Sequence, residues 1–122
     1  MSHVVRVAEG YVEVAFSGDI DPETMRRMGA RLTPEEVAAV QRTARILFVF
    51  SDIDMFGFNS ENLGLAMQRL AGNGIRLAIF SSNPRFFGIG RQIALHSGLE
   101  GSAIAVFSER AEALGWLLDL HE

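Results

Sequence analysis

The chain contains no lysine and no cysteine. Without lysine there is no Schiff-base chemistry and no phosphate loop of the lysine type. Without cysteine there are no disulfides, no thiol catalysis and no thiolate-held metal. No apolar run approaches the roughly 18–20 residues that span a bilayer, and the N-terminal MSHVVRVAEG lacks the apolar stretch of a signal peptide. Basic charge is also scarce. All 11 basic residues are arginine against 15 acids, and the net charge of −4 disfavours nucleic acid and anionic membrane surfaces as partners. No internal repeat, low-complexity tract or linker interrupts the chain.

What is present is a core. Apolar residues make up 48% of the 122 positions without counting glycine, so one domain spanning residues 1–122 is expected, with a cytoplasmic location. HVVRVAEG and YVEVAFSG alternate with period two on either side of Glu9-Gly10, as in a hairpin with one solvated face. Asp21-Pro22-Glu23 and Thr33-Pro34-Glu35-Glu36 are helix starts, the second with capping-box spacing. Pro34 would break a single long helix, so two short helices are predicted over about 22–30 and 34–44.

Three later strands have a different pattern. ILFVF (46–50), LAIF (77–80) and AIAVF (103–107) are uniformly apolar, as strands covered on both faces of a parallel sheet are. Helical patterns separate them. Leu63, Met67 and Leu70 share one helix face ending near Gly72-Asn73-Gly74. Phe86, Ile89, Ile93 and Ala94 share a second, stopped around Ser97-Gly98, and Leu114, Leu117 and Leu118 belong to a C-terminal helix. The predicted fold class is α/β: an N-terminal hairpin joined to a mostly parallel sheet packed with helices.

Function in such sheets gathers beyond the carboxyl ends of the strands. Here that edge carries SDIDMFGFN and then Ser81-Ser82-Asn83-Pro84. Asp52 and Asp54 follow a buried strand, which suits either phosphoryl transfer or a loop that contacts a partner. Met55, Phe56 and Phe58 exceed what a loop normally needs and are read as a contact patch or as packing under the next helix. Ser60 and Glu61 suit a first helical turn, where acids complement the dipole. Asn83 is a helix cap, and with Ser82 and Arg85 it forms a candidate anion or ligand site. His3, His96 and His121 have no metal spacing. No catalytic residue, metal ligand or cofactor is assigned.

Two family resemblances bear on this edge. LFVFSDID followed by GIRLAIFSSN resembles the first two motifs of haloacid-dehalogenase-type phosphatases, which would make the first aspartate a nucleophile and the second a general acid. The chain departs from that pattern in having no lysine, no later acidic pair beyond Ser108-Glu109, and Met55-Phe56 after the second aspartate.

The second resemblance runs through about 100 residues. Ser17-Gly18-Asp19-Ile20-Asp21, Asn59-Ser60-Glu61-Asn62-Leu63-Gly64, the segment from Pro84 to Leu99 closing in HSGL, and SERAEAL occur in the order found in STAS domains, the sulfate-transporter and anti-sigma-factor-antagonist family. This resemblance implies a non-catalytic regulatory domain that binds a protein through Asp54, Met55, Phe56, Phe58, Asn59, Ser60, Glu61 and Asn62. In the antagonists a kinase phosphorylates the hydroxyl just before the glycine of this motif. Glu61 stands at that position here, with Asn59 and Asn62 replacing the family's aspartate and glycine, so the phospho-switch is expected to be absent. A small-ligand domain holding a lipid or nucleotide between the 51–62 and 81–88 loops is the alternative, and monomer and homodimer both stay open.

Overall fold

A computed structural model describes residues 2–20, 32–56, 60–98 and 103–118, with 2–3, 18–20, 51–56, 60–63, 66 and 85 described by backbone alone. In chain order the elements are β1 (Ser2–Ala8), β2 (Tyr11–Ile20), α1 (Pro34–Thr43), β3 (Arg45–Phe56), α2 (Ser60–Ala71), β4 (Arg76–Phe80), α3 (Pro84–Ser97), β5 (Ile104–Phe107) and α4 (Arg110–Leu118). The strands form one five-stranded sheet in the order β1-β2-β3-β4-β5. β1 is antiparallel to β2, and β2 to β5 run parallel. The helix expected over 22–30 lies outside the described residues.

Local chemistry explains the boundaries. Ala8 faces Tyr11 across the Glu9-Gly10 turn, where Gly10 adopts φ 87°, a conformation open to a residue without Cβ. Thr33 caps α1. Its hydroxyl accepts from the Glu36 amide at 3.1 Å, and the Glu36 carboxylate accepts from the Thr33 amide at 2.8 Å. Pro34 then sits in the first turn, where its missing N–H is no loss. At the other end Ala44 turns left-handed at φ 54°, donates to the Val40 carbonyl and accepts from the Arg76 amide, each at 2.8 Å. The end of α1 is thereby tied to the start of β4.

The uniform apolarity of β3 follows from burial on both faces. Ile46, Phe48 and Phe50 join a core with Ala39 of α1, Met67 of α2 and Phe86, Ile93 and Ala94 of α3. Leu47 points the other way, into a smaller core with Tyr11, Ala78, and Ala113 and Leu117 of α4. Each such Leu or Phe, fully withdrawn from water, contributes roughly 1.5–3 kcal/mol.

β3 does not stop at Phe50. It continues through Phe56, beyond its last pair with β4 at Val49–Phe80, by staying paired to residues 17–20 of β2. The 51–56 stretch expected as a loop is therefore strand. Ser17 pairs with Asp52, Gly18 with Ile53, Asp19 with Met55 and Ile20 with Phe56. Two register shifts, between Ala15 and Ser17 and between Gly18 and Asp19, each leave one extra residue on β3. Asp54 is the extra residue of the second. Such bulges raise local twist and bend a strand, and they are frequent next to functional sites.

Candidate functional site

The β4–α3 turn is built around Ser81, which is 1% exposed. Its amide donates to the Phe107 carbonyl of β5 at 3.2 Å, and its hydroxyl donates to the Phe50 carbonyl of β3 at 3.4 Å. The same hydroxyl oxygen accepts from the Asn83 amide at 3.1 Å. One buried side chain thus ties three elements together. With both of its hydrogen bonds made to backbone groups, the Ser81 hydroxyl has a structural role in this turn. The Asn83 carbonyl then accepts from the amides of Phe86 and Phe87 at 3.0 and 3.3 Å, which starts α3.

Beneath this turn lies a phenylalanine stack. The Phe50 ring is 4.9 Å from that of Phe16 and 4.6 Å from that of Phe86, with interplanar angles of 17° and 16°. Phe48 joins at 6.2 Å from Phe16. Stacked pairs of this kind add about 0.5–1.5 kcal/mol beyond burial. They fix β2, β3 and α3 against one another directly under the strand ends.

Ser60, Glu61 and Asn62 occupy the first turn of α2. The next turn begins near Gly64, where α2 meets the far end of α3. A Cβ on Gly64 would lie 2.6 Å from the His96 Cβ and 2.7 Å from the Ile93 carbonyl oxygen. His96 lies about 18 Å beyond Pro84 along α3, at about 1.5 Å per residue. Gly64 is therefore anchored at the C-terminal end of α3, whereas Ser82, Asn83 and Arg85 sit at its N-terminal end. Ser82 is exposed and Asn83 half-buried; for Arg85 the backbone alone is described. Asp54, Met55 and Phe56 belong to the end of β3, and Phe58 and Asn59 lie outside the described residues.

Two polar features were not foreseen from the sequence. On the α4 face of the sheet Glu13 binds two arginines. Arg6 donates to its carboxylate at 3.1 Å and to the Tyr11 hydroxyl at 3.3 Å, and Arg110 of α4 donates to the same carboxylate oxygen. Burial would raise the Glu13 carboxyl, but the hydrogen bonds from Arg110 and Arg6 outweigh it and hold the group below the ordinary carboxylate range. Arg76 stacks its guanidinium 4.0 Å above the Trp116 ring, and its buried Nε has no hydrogen-bond partner. Glu13 and Arg6 alternate with apolar residues as on any solvated strand face, and no local signal links either to Arg110.

Among the described residues no group of three or more His, Cys, Asp or Glu is placed to hold a metal ion. Among the same residues no helix is long and apolar enough to cross a membrane.

No protein-family model matches the chain, and no curated protein matches it in sequence. Solved structures do. The anti-sigma factor antagonist SpoIIAA, in its unphosphorylated form, superposes with a TM-score of 0.61 at 14% identity, over 99% of this chain and 100% of that one. An uncharacterised Shewanella loihica protein of the DUF3478 family, described as having a SpoIIAA-like fold, superposes with a TM-score of 0.54 at 14% identity, over 95% of this chain and 92% of that one. The fold is STAS-like: a mixed five-stranded sheet packed with helices, matched along nearly its whole length.

Proposed function

We propose that residues 1–122 form one non-catalytic regulatory domain, acting in the cytoplasm, that binds a protein partner through the first turn of α2 and the adjoining end of α3. The observation that carries this reading is the crossing at Gly64. It sets Ser60, Glu61 and Asn62 on a helix braced by backbone contact, and rigid support of this kind favours recognition. One residue from the crossing on each helix is a large apolar side chain in water, Leu65 at 43% and Leu95 at 56% exposure. SpoIIAA, whose fold the chain shares, is an anti-sigma factor antagonist, which makes a protein partner the natural expectation. Glu61 carries a fixed charge of about −1 where the family's hydroxyl would gain about −1.5 to −2 on phosphorylation. The surface is accordingly read as constitutive, with no phosphate at Ser60.

A second reading rests on a different place. An open groove of about 560 Å³ lies between α1, the β2–β3 face and the C-terminal end of α2, lined by Val12, Val14, Val40, Phe48, Leu70 and Ile75 among others. A small apolar ligand would suit that lining, and this groove is a better home for one than the 81–88 turn, whose Ser81 is fully engaged.

Affinity capture from native lysate, with mass spectrometry of proteins and small molecules together, separates the two. A protein recovered in stoichiometric yield, with Ser60 unmodified, is the expected result. A co-purifying lipid or nucleotide with no protein would favour the groove, and substantial phosphate on Ser60 would mean that the switch has moved by one residue.

A further inference from the structure

We propose that β1 is a dimerisation strand: its outer edge pairs antiparallel with β1 of a second copy, joining two sheets into one. The two outer strands of the sheet differ sharply. β5 spans only Ile104–Phe107, and so short an edge offers little to pair with. β1 runs Ser2–Ala8 and matches β2 in an unbroken register from Ser2–Ser17 to Ala8–Tyr11, with no bulge to twist its edge away. Proteins usually protect such an edge with charged side chains, lysine above all, with proline or with a covering element. SHVVRVA has neither lysine nor proline and only Arg6 as a charge, and among the described residues no strand pairs with its outer edge, with Val4 67% and Val7 45% exposed.

The strand is also compatible with itself. A two-fold axis perpendicular to the sheet keeps like faces together, so residues of the same parity oppose each other across the new ladder. Alignment on Val5 sets Val4 of each copy against the aliphatic stem of Arg6 of the other. It also keeps the two arginines out of direct opposition. Arg6 is the only Arg, Lys, Asp or Glu on the strand, and it is already paired with Glu13 of its own sheet, a carboxylate it shares with Arg110. A separate protein supplying a strand would need the same apolar alternation, whereas a second copy provides it by symmetry. Seven residues make an edge about 23 Å long. A single strand-to-strand seam of that length buries less than the roughly 800 Å² per partner of a standard interface, so the dimer should dissociate on dilution through the micromolar range.

Sedimentation equilibrium from about 1 to 500 μM tests this on the wild-type chain, on Val4→Lys and on Val37→Lys. Val37 lies on α1 at 38% exposure and serves as the control, and both variants should melt as the wild type does. The expected result is a reversible dimer whose dissociation constant rises at least tenfold in Val4→Lys and is unchanged in Val37→Lys. Amide exchange across 2–8 should also slow as wild-type concentration rises. A monomer at every concentration overturns the proposal, as does a dimer that survives Val4→Lys with β1 exchange unaltered. The α2 surface takes no part in the measurement, so its outcome is independent of the proposed partner site.

Discussion

Replacing Gly64 by alanine probes the contact on which the candidate surface depends. The added methyl would sit 2.6 Å from the His96 Cβ, 2.7 Å from the Ile93 oxygen and 3.0 Å from the His96 carbonyl carbon. Two of these are backbone atoms of α3, so no rotamer change relieves them. Restoring ordinary contact near 3.5 Å requires the helices to part by about 0.8 Å, which loosens buried Met67 and Ile93 together. Overpacking of this kind costs about 1–3 kcal/mol. Alanine's better helix propensity returns about 1 kcal/mol, leaving a net loss of up to about 2 kcal/mol. For a chain of this size that lowers Tm by up to about 8 °C. Gly88 provides the contrast. It is exposed on α3 with nothing within 4 Å of the place an added methyl would take, and Gly88→Ala should gain about 0.5–1 kcal/mol. Urea denaturation followed by circular dichroism gives both values. A Gly64→Ala protein that gains stability as Gly88→Ala does would refute the close crossing.

Other perturbations reach the remaining parts of the account. Phe50→Ala removes the middle ring of the stack from a fully buried site and should cost about 3–5 kcal/mol, measured by the same denaturation. The Glu13 carboxyl is held below its ordinary range, so its contribution is present above the unfolded-state value and fades as pH falls through the folded one. Glu13→Gln should therefore lower stability at neutral pH by about 0.5–1 kcal/mol and flatten the profile below about pH 4.5. Generic phosphoesters with magnesium should not be hydrolysed above background, because the chain has no lysine and the phosphatase-like strand end lacks a distal acidic pair. Turnover abolished by Asp52→Asn would overturn the non-catalytic reading.

Much of the fold was legible where its cause is local. Thr33 and Glu36 satisfy each other within one turn, so the start of α1 could be read from four residues. The strand at 46–50 announced its two-sided burial through composition alone. Its continuation to Phe56 was hidden because polar Ser51, Asp52 and Asp54 look like a strand exit. What holds them in the sheet is backbone pairing to residues more than 30 positions earlier. The same limit hid the Phe16–Phe50–Phe86 stack and the Glu13–Arg110 pair, whose members meet only through topology. Gly64 was visible as the last residue of a short motif, but its purpose, admitting α3 to backbone distance, is not encoded in its neighbours.

Amide hydrogen exchange on the domain with and without its captured partner tests the central claim most directly. Slowed exchange confined to the first two turns of α2 and to the last turns of α3, around Ile93 to Ser97, is the predicted result. Protection at β1, in the α1 groove or at the 81–85 turn, with the Gly64 crossing unchanged, would contradict it.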